Sequence, residues 1–436
     1  MSSTATRPAR PAGPGSSGAP TPRPAKDPDG FLARALPFLG RLESPVTSYY
    51  VLLGTTMVLV VIGLVMVLSA SMVTSIKDDG SSFGIFLNQL LFAGAGLVGA
   101  VLAARIPVPW YRRLAIPALG GAIFLQLLVF TPLGVSVNGN RNWVRLVPGV
   151  QIQPSELTKI GLILVGALVL ANKRKLLGSF RHVVFPFLLP VAAGTVGLVL
   201  LGHDLGTALV LLAIVGALLF VAGVPARFFL LAGAAASALA LVLVVTSQNR
   251  MGRIASWLTG TGCDDPSGGA CYQSVHGLYA LADGGWWGVG LGASKEKWSW
   301  LPAAHNDFIF AIIGEELGLP GTFVILLLFS LIGWACYRLV LRSRDQFVRI
   351  ATAGVMTWIL LQTMVNIGSV IGLLPVIGVP LPLVSAGGSA LVTTMVALGM
   401  LLSFARNEPG AREILSARPS VVRRSLAVLP SRRNRG

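Results

Sequence analysis

The chain has 436 residues, of which 54% are hydrophobic and only 12% charged. Its mean hydropathy is +0.75. So few charges cannot cover a water-soluble surface of this size, which excludes a set of soluble domains and places most of the chain in lipid. The 34 Lys and Arg against 17 Asp and Glu leave a net charge of +17, which on a soluble protein would suggest nucleic acid; here the question is where that charge sits relative to a bilayer.

Residues 1–30 are rich in Pro, Ala, Gly and Ser with scattered Arg, and contain no apolar run of the signal-peptide kind. A disordered tail is expected over 1–43, with 31–42 a short amphipathic piece that Pro37 interrupts. Apolar runs long enough to span then follow at 49–72, 84–104, 114–132, 155–171, 183–201, 206–223, 227–246, 307–337, 348–370 and 383–404. The expected fold is therefore all-α: a polytopic ten-span domain over 44–405, then a basic tail over 406–436.

With both termini inside, the inner segments hold 26 basic and six acidic residues, and everything else holds 8 basic and 11 acidic. The inner face is then +20 and the remainder −3, which is the positive-inside pattern. Two outer loops are too long to be turns, 133–154 and the much larger 247–306. Function is expected there.

In the first outer loop, Arg141, Trp143 and Arg145 put an aromatic between two cations. They read either as an interface belt or as a platform for a polar headgroup. Just after it, Gln153-Pro154-Ser155-Glu156 opens a helix on which Glu156 and Lys159 are i,i+3 partners. They form either a solvated interface pair or the lining of a headgroup site. Arg250, Arg253, Lys295 and Lys297 stand out on a cation-poor side and suit a diphosphate. Cys263 and Cys271, eight residues apart on an oxidising face, are a disulfide candidate; the other reading is two free thiols. Four scattered histidines show no metal-ligand spacing.

The densest cluster runs from Lys295 through His305-Asn306-Asp307 into Gly314-Glu315-Glu316. Asp307 stands where the large loop enters the eighth span. Partial desolvation there raises a carboxylate's pKa and suits a general base, while an acid at a helix start also suits an N-cap. Glu315 and Glu316 lie about 12–14 Å further in and diverge by about 100°, so at least one is expected to pair with a buried polar neighbour. Finally, the prolines and glycines between Gly372 and Ser389 break the helix, which membrane depth tolerates where backbone lines a cavity. There Ser385 is a candidate polar contact, and Gly387-Gly388 allows a close approach or offers N–H groups to an anion.

The run His305-Asn306-Asp307-Phe308-Ile309-Phe310-Ala311 with Gly314-Glu315-Glu316-Leu317-Gly318 resembles the SEDS family of FtsW, RodA and SpoVE. Gln153-Pro154-Ser155-Glu156, Asp204-Leu205-Gly206-Thr207, Gly290-Leu291-Gly292 and the 372–389 block match in the same order. The first-span run Val65 to Ser71 and the long basic tails are closer to the cell-division FtsW branch. The resemblance implies an inverting peptidoglycan glycosyltransferase that polymerises lipid II on the outer face of a bacterial plasma membrane, at the division septum. It implies Asp307 as the essential acid, with Trp143, Glu156 and Lys297 at other family positions. Asn306, Ala303, Ala386 and Ser299 depart from the residues usual at those places. A class B penicillin-binding transpeptidase and other divisome membrane proteins are the implied partners, with no nucleic acid. No organic cofactor is implied, and a divalent cation (Mg or Mn) is left open. The rival readings are a lipid II flippase and a non-catalytic divisome scaffold.

Overall fold

The computed structural model describes residues 44–137, 140–147, 150–245, 248–259 and 270–417. The expected tail over 1–43, the part of the expected 406–436 tail beyond 417, and Cys263 with the Cys271 side chain lie outside this description; the disulfide expectation falls there. Helix α1 (Thr47–Asp79) is followed by α2 (Gly84–Arg105) and α3 (Val108–Leu128). Strands β1 (Gly134–Val137), β2 (Asn140–Val147) and β3 (Val150–Ile152) come next, then α4 (Pro154–Asn172). The fifth apolar run is built from α5 (Phe180–Val183), a π-helical stretch (Val184–Ala193) holding Pro186 and Pro190, and α6 (Gly194–Leu201). Proline removes the N–H that an α-turn needs, and the wider turn absorbs the loss. Then follow α7 (Leu205–Ala222), α8 (Ala226–Val245), α9 (Gln248–Thr259), α10 (Ala270–Gly284), α11 (Ile309–Arg342), α12 (Gln346–Val370), α13 (Gly388–Arg406) and α14 (Ala411–Ala417).

Among the described residues, eight helices are long and apolar enough to cross a membrane: 47–77, 84–105, 154–172, 181–201, 205–222, 309–342, 346–370 and 388–406. This is a multi-pass membrane protein. Helices α3 and α8 occupy the places of the third and seventh expected spans, outside that group of eight. Arg112 and Arg113 near the start of α3 dilute its hydropathy.

The all-α expectation is corrected in the first outer loop, which is a three-stranded antiparallel sheet in the order β1-β2-β3. Trp143 pairs with Val135, and Arg145 with Gln151. The sequence carried the signal: Asn138-Gly139 and Pro148-Gly149 are turn dipeptides flanking a Val-rich segment. The large loop is also structured, with α9 and α10 inside it.

Helix–helix contact relies on small residues, as in membranes generally. The most extensive pairing is α2 with α13. A methyl on Gly399 would strike the Ala100 backbone, and one on Gly96 the Met395 side chain. Trp358, Phe187, Phe308, Phe347 and Phe404 are fully buried in the interior. One end of the bundle is closed by Arg112, whose Nη2 donates to Asp345 Oδ1 at 2.6 Å, and by Arg406, which donates to the Ala104 carbonyl at 3.3 Å. The opposite end holds the sheet, the 285–308 loop and the 371–387 segment, and it positions the site.

Candidate active site

Asp307 lies two residues before the start of α11 and is half-buried. The N-cap position falls on Phe308, which makes no side-chain cap. What fixes the Asp307 turn is its backbone. Three successive carbonyls are taken up in order: Ala386 N–H donates to His305 O at 3.0 Å, Ser385 Oγ to Asn306 O at 2.7 Å, and Asn366 Nδ2 to Asp307 O at 2.7 Å. The same Asn366 amide donates to Val379 O at 2.8 Å, so one side chain binds the start of α11 to the broken segment. Gly378 has φ +77, and a methyl there would stand 3.5 Å from Asp307 Oδ2. The broken segment thus comes up to the carboxylate with a residue that lacks a side chain, in a conformation that favours glycine.

Ser385 is a strut rather than a surface group: its Oγ accepts from Leu381 N–H at 2.8 Å while donating to Asn306 O. Gly387 N–H is already occupied, donating to Gln89 Oε1 at 3.2 Å, and Gln89 Nε2 donates back to Ser385 O at 3.1 Å. Of the two uses considered for Gly387-Gly388, the close approach is the one seen, with Gly388 against the Phe92 ring.

Glu156 and Lys159 form a 2.7 Å ion pair with side chains only 3% and 2% exposed. Neither alternative drawn from the sequence fits, because the pair is neither solvated nor lining an open surface. Its surroundings explain how it is tolerated. Lys159 also donates to Gln362 Oε1 at 3.1 Å and lies 5.0 Å from the Trp358 ring centroid. Trp358 Nε1 donates to the same Gln362 oxygen at 2.8 Å, and Gln362 Nε2 donates to Pro380 O at 2.9 Å. Every partner of a costly buried charge is itself partnered, and the chain of bonds ends on the broken segment beside Asp307.

The sheet docks elsewhere on this end. Arg141 N–H donates to Gly202 O at 3.1 Å. Asn142 Nδ2 and Gln153 Nε2 donate to Asp204 Oδ2 at 3.1 and 2.9 Å, and Thr207 N–H donates to Asp204 Oδ1 at 3.0 Å. Asp204 is both cap of α7 and anchor of the sheet. Trp143 is half-buried, while Arg141 and Arg145 are exposed. Gln153 N–H donates to Ser389 Oγ at 3.3 Å, which ties this region to the start of α13.

Glu315 and Glu316 both reach the large loop, although they diverge around α11. Glu316 accepts from Ser69 Oγ at 2.6 Å and from Lys297 Nζ at 3.1 Å. Lys297 also donates to Ser69 Oγ at 3.2 Å and Gly292 O at 2.6 Å. Its ammonium has three acceptors and is buried, so here it fastens the loop instead of facing a diphosphate. Glu315 accepts from Ser294 Oγ and from Lys295 N–H. The loop can supply both sets of donors because α11 bends at Gly318 (φ 67, ψ −160), before Pro320, and the loop wraps the bend. Lys295 Nζ is exposed, 3.3 Å from Asp283. Arg253 falls on α9, its side chain outside the described part, as is that of Arg250.

Further out, His276 Nδ1 and Glu296 Oε2 lie 2.7 Å apart, joining α10 to the loop. Burial pushes the Glu296 carboxyl above its ordinary range; His276 opposes that and the neighbouring acids Glu315 and Asp283 add to it. His305 is half-buried beside Asp307. Among the described residues no group of three or more His, Cys, Asp or Glu gathers to hold a metal ion. No step is assigned to a cation.

The sequence places Asn366 and Gly378 in the broken-segment feature without a role for either, and sequence reasoning missed Gln89, Gln362 and Ser69 as site residues. Each was visible as a polar or glycine position inside or beside an apolar span.

The fold and this end of it define a class: a multi-pass helical membrane protein whose broken segment braces a half-buried acid at one face. The chain belongs to the FtsW/RodA/SpoVE family of cell cycle proteins, whose model matches residues 49–409. It is 41% identical over 381 residues to a probable peptidoglycan glycosyltransferase FtsW of Mycobacterium tuberculosis, covering 87% of this chain and 71% of that one. It is similar to a solved chain described under "Structural coordination of polymerization and crosslinking by a peptidoglycan synthase complex", with TM-score 0.64, 28% identity and coverage of 82% and 98%. The rod shape determining protein RodA of Thermus thermophilus gives TM-score 0.60 and 28% identity, covering 82% of this chain and 96% of that one.

Proposed function

We propose that this protein is a peptidoglycan glycosyltransferase of the FtsW kind, polymerising lipid II at the septum of a dividing bacterium. In this reading both termini are cytoplasmic, α3 and α8 complete ten spans, and the Asp307 end faces outward. Asp307 takes the proton from the GlcNAc 4-hydroxyl of one lipid-linked unit. That oxygen attacks the MurNAc anomeric carbon of the other and displaces undecaprenyl diphosphate. An axial diphosphate replaced by a β-1,4 link needs a single displacement, so no enzyme nucleophile is required. The exposed cations Arg141, Arg145 and Lys295 would meet the diphosphate charge, Lys295 exchanging its Asp283 partner for it and Arg141 keeping one N–H on the Thr131 carbonyl. A class B penicillin-binding transpeptidase is the proposed partner, in keeping with the synthase-complex structure that this chain resembles.

The observation that carries the reading is a contrast in exposure. Glu156, Glu315 and Glu316 are all buried against fixed donors, while Asp307 is half-buried on a rigid backbone. A general base needs that combination of fixed position and access. Purified protein incubated with lipid II, with and without the transpeptidase, tests it. Glycan chains support the polymerase; headgroup translocation without chains would make it a flippase, and neither would leave a scaffold.

A further inference from the structure

Trp286 and Trp287 take no part in the bonding described above and are 76% and 84% exposed, yet their backbone is locked in place. Val289 and Gly290 N–H donate to Glu315 and Glu316 O at 2.9 and 3.0 Å, and Leu319 N–H donates to Gly285 O at 3.3 Å. A methyl on Gly318 would strike Trp286 O and the Trp287 carbonyl carbon, so the two residues sit at the level of the α11 bend.

That level can be measured along two helices. From Gly318 to Arg342, α11 rises about 36 Å at 1.5 Å per residue, slightly more than a hydrocarbon core of about 30 Å. Ser69, bonded to Glu316, stands about 33 Å from the start of α1 on the same rise. Both place the bend at the headgroup boundary. Lys77, bonded to Ser299, lies about 12 Å farther along α1. Trp298 and Trp300, either side of Ser299, therefore stand clear of the lipid, while Trp286 and Trp287 stand at its edge. Past the bend, Leu319, Phe323 and Leu326 are exposed along α11, an apolar stripe that runs on toward Arg342.

We infer that Trp286 and Trp287 are a membrane-interface anchor. Their indoles enter the headgroup region of the leaflet at the Asp307 end, where an aromatic body and an N–H are both satisfied. Through Gly285, Val289 and Gly290 they set the height of the loop that leads to Asp307 above the lipid surface. The inference holds whatever reaction Asp307 performs.

The test uses the full chain in phosphatidylcholine vesicles whose lipids carry bromine near the headgroup or near the chain ends. Nine tryptophans emit, so the signal of interest is the part lost in the W286F/W287F variant, with W298F/W300F as the reference pair. The anchor predicts that this part is quenched more by the shallow bromines than by the deep ones and is shielded from aqueous iodide. The W298F/W300F part should be quenched by iodide instead. Emission from Trp286 and Trp287 that bromolipids leave untouched and iodide quenches would overturn the inference. So would shielding that arises only when a transpeptidase is added, which would make the pair a protein-binding surface. The single variants W286F and W287F give the same reading should the double variant fold poorly.

Discussion

Two regions brace the Asp307 end, and they are built in opposite ways. Under the broken segment, Glu156, Lys159, Gln362 and Trp358 bond side chain to side chain between α4 and α12, helices fixed by their own ladders. Around the large loop, carboxylates on α11 hold a chain that has little regular structure, using Ser294 Oγ, Lys295 N–H and Lys297 Nζ. In the first region the helices keep their shape, so a lost bond weakens the bundle as a whole; in the second the loop loses its own shape. Buried charge stabilises global structure in one and local structure in the other.

The largest effect on stability should come from the helical region. Lys159→Met leaves the Glu156 carboxylate buried without its cation, at a cost of about 3–5 kcal/mol. The thermal midpoint of the purified protein should fall and hydrogen exchange should rise throughout α4 and α12. An unchanged midpoint would break the comparison.

In the loop region, Ser69→Ala removes the hydroxyl that donates to Glu316, a hydrogen bond to a charged group worth about 1.5–3 kcal/mol. Faster exchange should be confined to 288–300 and the start of α11, with the midpoint little moved. Spread of the effect to α4 would show that the two regions are one.

The smallest effect is pH-dependent. The folded Glu296 carboxyl is held above its ordinary range by burial. A raised carboxyl favours the protonated fold, so its contribution is fully present below the ordinary carboxylate pKa and is lost as pH rises through the folded value. Protease protection of the loop should therefore decline across that window, and Glu296→Gln should flatten the decline. An equal slope in both proteins would remove Glu296 from the account.

The helices were legible, and the candidate acid conspicuous, because apolar length and isolated charge are strong signals in lipid. Asp307 stood out as an acid at the mouth of a span. The sheet at 134–152 was also written in its turn dipeptides and Val alternation, but span-reading passes over short strands. Pairing was harder to see. Lys297 looks like an outer cation in sequence and becomes a buried tie because Ser69, more than two hundred residues away, meets it on α1. Glu315 and Glu316 can both hold one loop because the Gly318 bend lets the chain wrap the helix end, a geometry that helical periodicity alone argues against.

The account turns on Asp307 being placed for chemistry while the neighbouring acids are placed for structure. The direct measurement is glycan polymerisation from lipid II by Asp307→Asn, together with its thermal midpoint. The account predicts an unchanged midpoint and no polymer; polymer at the unsubstituted rate from the folded variant would contradict it.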